Sequence, residues 1–217
     1  IQTIHAFCES LLRRFPLETY DAAPAPTTTG PAEASKSQYL RQLLTERPFW
    51  MIIFSTFCYS AVVTGFFFYQ YLIADARGWD RSWYALCFAG YAAVRLLFLL
   101  FGGPLTDRFT ARRLFPFYLL PLMAGLLCLE LMPGRLAPLL FLLLTGVSAG
   151  LSSVLGGAVL AEVYGTARVG QVRSLFSMVM VLSTALTPLA FGALLDHGVS
   201  IGALALDSVA VLAAATL

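Results

Sequence analysis

Residues 96–122 read LLFLLFGGPLTDRFTARRLFPFYLLPL, two strongly apolar runs joined by a short charged hairpin. The apolar flanks cannot be water-facing surface, and the charges between them cannot sit in hydrocarbon. A segment that leaves a bilayer, turns at the head groups and re-enters satisfies both demands. Composition agrees. Of 217 residues 59% are hydrophobic and 12% charged, against about 25% charged in soluble domains. The mean hydropathy is +0.78. A net charge of +2 is too small for nucleic-acid binding by the whole chain.

Working outward from the hairpin, six segments approach the roughly 20 apolar residues that a spanning helix needs. They cover about 48–74, 82–105, 113–132, 136–161, 172–195 and 199–217. The expected fold is an all-α membrane protein, a six-helix transmembrane bundle over 37–217. Before it, residues 1–18 form a candidate helix, with Ile4, Phe7, Leu11 and Leu12 at helical spacing and Pro16 as a stop. Residues 19–36 are a Pro/Ala/Thr linker with little apolar surface to bury. The stretch SQYLRQLLTERPFW (37–50) reads as a short interfacial helix whose Arg41 and Arg47 favour an anionic surface. Neither end of the chain looks natural, and no signal peptide opens it.

Charge sets the orientation. With the linker on the cytoplasmic side, that side holds Lys36, Arg41, Arg47, Arg108, Arg112, Arg113, Arg168 and Arg173, against Arg77, Arg81 and Arg135 opposite. Trp79 and Trp83 flank the outer end of the first hairpin, where aromatic belts sit. The expected location is the plasma (inner) membrane with a cytoplasmic N-terminus.

Several intramembrane residues are candidates for chemistry. Arg95 lies about 12 Å from Gly103 at ~1.5 Å per residue, near mid-bilayer, where a charge is costly and normally faces a cavity or a partner. Tyr84, Tyr91 and Arg95 fall at i, i+7 and i+11, one stripe presenting a cation and two phenols to an anionic substrate. The alternative is an arginine paired with a carboxylate or carbonyls outside the bundle. Tyr69 and Gln70 are further cavity-lining candidates. Asp207 suits packing or an interhelical bond better than proton coupling, and Glu130 sits at a helix end within reach of water. Gly146, Gly150, Ser153 and Gly157 recur about one turn apart and suggest close helix packing. Pro188 with Gly192 marks a bend.

Other motifs lead nowhere. GPAEASKS (30–37) imitates a phosphate-binding loop, but Ser35 replaces its second glycine and no strand precedes it. Cys8, Cys58, Cys87 and Cys128 have no metal or disulfide spacing, and the histidines are only His5 and His197. No metal, cofactor or nucleophile–base pair is expected, and no enzyme.

The hairpin resembles the signature loop of the major facilitator superfamily, roughly G-x-L-x-D-R-x-G-x-R-R. Gly103, Leu105, Asp107, Arg108, Arg112 and Arg113 match it, and Thr110 stands in the place of its second glycine, implying a looser turn. In that reading Gly103 admits a neighbouring helix, Asp107 pairs with a cation or caps a helix, and the arginines anchor the loop at the head groups. The polar linker before the first span and TPLAFGALLD (187–196) resemble the family's second half, so residues 33–217 would be spans 7–12. The resemblance implies half of a secondary transporter of a small solute, rocking against an N-terminal six-helix half that completes it, and the Arg95 stripe adds the expectation that the solute is anionic. Its implied partners are the bilayer, a small-molecule substrate and that half, with no nucleic acid. Separately, TIHAFCESLLRRFPLE (3–18) resembles a segment of UvrD-like helicases of the AddA type, leaving two alternatives: a DNA-repair helicase fragment, or a non-transporting membrane scaffold.

Overall fold

The computed structural model describes residues 43–165 and 169–216, without the side chain of Asp107. The peptide 1–18, the linker 19–36, most of the interfacial segment, and Lys36, Arg41 and Arg168 lie outside the described residues. The chain divides into two units, 1–46 and 47–217. Of the first, residues 43–45 form a helical turn, with the Glu46 amide donating to the Leu43 carbonyl.

The second unit is helical throughout its described residues. It runs α1 (Arg47–Phe68), α2 (Gln70–Ala76), α3 (Arg81–Phe109), α4 (Ala111–Leu114), a 3-10 turn (Phe115–Tyr118), α5 (Leu119–Leu131), α6 (Leu136–Tyr164), α7 (Val169–Asp196) and α8 (Ile201–Thr216). Among the described residues, five segments are long and apolar enough to cross a membrane: Arg47–Phe68, Arg81–Thr106, Ala111–Leu131, Leu136–Tyr164 and Val169–Asp196. The protein is an integral membrane protein with a helical bundle. The expected sixth span is not among them. α8 is described over 16 residues, as far as Thr216.

Two local details differ from the sequence reading. The first span does not run unbroken to residue 74, because Tyr69 interrupts it between α1 and α2. The charged hairpin is hardly a loop. α3 continues through Pro104 to Phe109, and α4 restarts at Ala111, leaving Thr110 as the sole hinge. Thr110 adopts φ 70°, ψ 129°, so the glycine-like turn is kept even though a β-branched residue is strained there. The restart is held from across the bundle. Glu162, near the end of α6, accepts hydrogen bonds from the Ala111 amide at 2.8 Å and the Arg112 amide at 3.1 Å. Two orphan N–H groups of a helix start are thereby paired with a carboxylate, where the helix dipole favours negative charge.

α6 is the centre of packing, with α3, α4 and α5 against it. α1 packs on α7 and α8, and α8 returns to α5 to close the bundle. Leu119, Leu122, Leu126, Leu129, Leu142 and Leu212 fill the interior, each at most 1% exposed. α3 and α7 contrast with this core, since only 11% of each apolar window is buried. Leu97, Leu100 and Phe101 on α3 and Val181, Leu186 and Leu189 on α7 point outward. Such faces suit lipid or another apolar bundle, not water.

Candidate functional site: a hydroxyl-lined cavity between α1, α6 and α7

Thr56 and Tyr59 on α1, Ser152, Ser153, Gly156 and Gly157 on α6, and Arg173 and Ser177 on α7 surround a cavity of about 270 Å³. Phe115, Tyr118, Ile52 and Phe176 complete its walls. Helical periodicity brings these residues together: Ile52, Thr56 and Tyr59 recur at i, i+4 and i+7, as do Arg173, Ser177 and Met180 on the facing helix. A wall of short hydroxyl side chains leaves the space that larger residues would fill.

The polar groups form a connected set. Ser152 Oγ lies 3.2 Å from the Tyr59 hydroxyl and 3.1 Å from the Ala149 carbonyl. Thr56 and Ser153 donate to the Ile52 and Ala149 carbonyls at 2.7 and 2.8 Å, so each keeps its oxygen lone pairs for a ligand. The Tyr118 hydroxyl meets Ser55 Oγ at 3.3 Å, and the Tyr59 and Tyr118 rings make an edge contact at 5.4 Å. Arg173 is exposed and stands in no ion pair among the described residues. Its guanidinium brings donors to a wall rich in hydroxyl acceptors. A small solute that carries an anionic group and hydroxyls is the natural complement.

The structure sorts the residues singled out from sequence into separate neighbourhoods. Tyr91 and Arg95 stay together, with Arg95 Nη1 3.5 Å from the Tyr91 hydroxyl, and both are within electrostatic reach of Tyr59. Arg95 is exposed on α3. Tyr84 lies on the same stripe through Phe88, with ring contacts at 5.4 Å and 6.2 Å. Its own setting is different. Tyr84 is buried, stacks on Trp79 at 5.9 Å, and shares a pocket at the other end of the bundle with Gln70, Tyr71 and Arg81. Gln70 Oε1 is buried there without a hydrogen-bond partner among the described residues. Tyr69 donates to the Pro188 carbonyl at 2.8 Å and seats its hydroxyl over Gly192, pinning the α1 break to α7 at the Pro188–Gly192 segment.

The glycine stripe on α6 divides. A Cβ on Gly146 would stand 2.9 Å from the Tyr91 carbonyl, and one on Gly150 2.8 Å from the Arg95 carbonyl. These two glycines hold α3 against α6. A Cβ on Gly157 would meet nothing within 4 Å among the described residues, and Gly157 lines the cavity, so the expected packing role does not extend to it. α3 follows the inclined i, i+4 ridge 146–150–154, reaching Val154 through Gly102 and leaving Ser153 and Gly157 free. Gly102, not Gly103, is therefore the close-approach glycine of the signature stretch, as Gly103 also faces open space. Arg108, Arg112 and Arg113 are exposed at the Thr110 hinge.

Glu130 and Asp207 also acquire definite settings. Glu130 pairs with Arg77, each about 30% exposed, and covers Gly202 of α8. Asp207 is exposed on α8, with no bond or ion pair among the described residues, contrary to an interhelical bond within this bundle.

The family profile described as Major Facilitator Superfamily matches residues 68–217, more than two-thirds of the chain. The chain belongs to the major facilitator superfamily. Its members are transporters, and the protein is accordingly a membrane transporter of that superfamily. No curated protein and no solved structure matches it. The helicase resemblance of residues 1–18 finds no support in these comparisons.

Within this superfamily member, Thr56, Tyr59, Ser152 and Ser177 were not singled out by sequence reasoning, Ser153 was read only as a packing residue, and Arg173 only as a topology charge. The available signal was the hydroxyl periodicity of three neighbouring apolar helices.

Proposed function

We propose that this bundle is the C-terminal half of a secondary transporter that carries a small anionic solute by alternating access. In this reading a six-helix N-terminal half completes it, the N-terminus is cytoplasmic, and the membrane is the plasma (inner) membrane. The observation that carries the proposal is the hydroxyl-lined cavity with Arg173 at one end and Tyr59 at the other. Tyr59 is about 18 Å along α1 from Arg47 at ~1.5 Å per residue, close to mid-bilayer. Tyr59 on the cavity wall lies within electrostatic reach of the Tyr91–Arg95 pair. Two guanidiniums on either side of a phenol-and-hydroxyl wall can hand an anion from the cytoplasmic mouth to the midplane. The outward apolar faces of α3 and α7 supply the surface against which a second bundle would rock.

The orientation rests on the helix ends. Arg47, Arg108, Arg112, Arg113 and Arg173 gather at one end of the bundle, and Arg77, Arg81 and Arg135 at the other. At the latter end Trp83 Nε1 donates to the Arg135 carbonyl at 2.9 Å, an interfacial position for tryptophan.

Uptake of organic anions into proteoliposomes carrying the transporter with both halves tests the reading. Arg95→Ala and Arg173→Ala should each lower transport at least tenfold, with folding retained. Unchanged uptake in both variants would remove the anionic-substrate proposal.

A further inference from the structure

A second cavity, of about 290 Å³, opens at the same end of the bundle as Arg173, sharing α1, α6 and the 3-10 turn with the first but closed by α4 and α8 in place of α7. Met51 and Ile52 of α1, Val159 and Val163 of α6, and Phe115 and Pro116 of the 3-10 turn give it an apolar body. Arg47 and Arg112 line it as well, and α8 contributes Ala215 and Thr216. Both arginines are exposed, and neither stands in an ion pair among the described residues. Among the described residues no acidic side chain lines the space. The nearest carboxylate to the Arg112 backbone, Glu162, has one oxygen on the Ala111 amide and the other on the Arg112 amide.

We propose that this cavity binds the phosphate and upper acyl chain of an anionic phospholipid from the cytoplasmic leaflet. The inference rests on the cytoplasmic orientation proposed above and needs no transport activity. Three features select this ligand. Two guanidiniums that stand in no ion pair among the described residues line one cavity, a set that suits a phosphate. The apolar body below them suits methylenes and would be poorly matched by an inorganic ion. The residues belong to helix ends at head-group depth, where basic pockets between spanning helices capture anionic head groups. The volume fits one phosphate with its glycerol and the first methylenes, at the small end of ligand pockets.

The site also joins functional parts. Arg112 sits two residues after the Thr110 hinge, and Phe115 and Ile52 line both this cavity and the hydroxyl-lined one. A bound lipid would brace the hinge and their shared wall.

Lipid adducts measured by native mass spectrometry, on the full chain released from nanodiscs, test the proposal. Wild type should retain phosphatidylglycerol in preference to phosphatidylcholine, and excess inorganic phosphate should not displace it. The double variant Arg47→Gln/Arg112→Gln should lose roughly thirtyfold in phosphatidylglycerol affinity, as expected for two interfacial cations. Arg47→Lys/Arg112→Lys should keep most of it, and Arg135→Gln at the far end should match wild type. Equal retention of the two lipids, or a double variant that binds like wild type, overturns the proposal. Displacement by inorganic phosphate assigns the arginines to a free ion and also overturns it. If the double variant fails to fold, the lipid preference and phosphate competition of the wild type still decide. Unchanged anion uptake in the Arg95 and Arg173 variants with the lipid preference intact would remove the transport reading and leave this inference standing.

Discussion

Adding one methyl group at Gly150 should separate the two most extensively paired helices. The new Cβ would stand 2.6 Å from the Phe98 Cβ and 2.8 Å from the Arg95 carbonyl. Carbon atoms prefer about 3.5–4.0 Å, so α3 and α6 must part by about 1 Å or Phe98 and the α3 backbone must shift. Overpacking of this kind costs about 1–3 kcal/mol, and the offending atoms include backbone, which cannot swing aside. At about 2–4 °C per kcal/mol for a chain of this size, Gly150→Ala should lower Tm by roughly 5 °C. Gly157→Ala is the internal control. Open space surrounds it, and alanine gains about 0.5–1 kcal/mol of helix propensity over glycine, so its Tm should hold or rise slightly. A thiol-reactive dye reads both in detergent, because Cys58 and Cys87 are buried free thiols that unfolding exposes. An unshifted Tm for Gly150→Ala, or a larger loss at Gly157 than at Gly150, would refute the division of the glycine stripe.

Replacing the hinge residue by glycine, Thr110→Gly, should raise Tm, because it relieves about 1–3 kcal/mol of backbone strain against a smaller entropic cost. A drop would show that the Thr110 side chain matters more than its conformation. Glu162→Ala should cost about 1–2 kcal/mol by uncapping Ala111 and Arg112, with faster amide hydrogen exchange confined to residues 111–118 as its signature. Tyr69→Phe should cost about 1 kcal/mol through the lost bond to the Pro188 carbonyl, again read by Tm. A double-mutant cycle on Arg77 and Glu130 should give a coupling below about 1 kcal/mol, since both side chains are partly solvated.

Hydropathy located the helices within a few residues because bilayer thickness dictates a run length that any apolar stretch must meet. It did not foresee the break at Tyr69, which depends on a tertiary bond to Pro188, or the one-residue hinge at Thr110, where Glu162 caps the next helix from 50 residues away. The midplane arginine and its tyrosine were legible, because an intramembrane charge stands out in one dimension. The hydroxyl-lined cavity was not. Thr56, Ser152, Ser153 and Ser177 look like ordinary small residues in apolar helices, and only the rotation of each helix about its axis turns them toward one space. The same rotation explains Gly102 replacing Gly103 as the close contact, and Gly157 leaving the packing seam.

The account stands or falls on whether the cavity between α1, α6 and α7 is an anion-selective aqueous site. Ser153→Cys, in a Cys8→Ser/Cys128→Ser background that leaves only the buried Cys58 and Cys87, places a thiol on its wall. In inside-out vesicles the account predicts reaction with a membrane-impermeant, negatively charged methanethiosulfonate several-fold faster than with its cationic analogue, and loss of that preference with Arg173→Gln. No labelling from the cytoplasmic side, or rates indifferent to reagent charge with Arg173 in place, would contradict it.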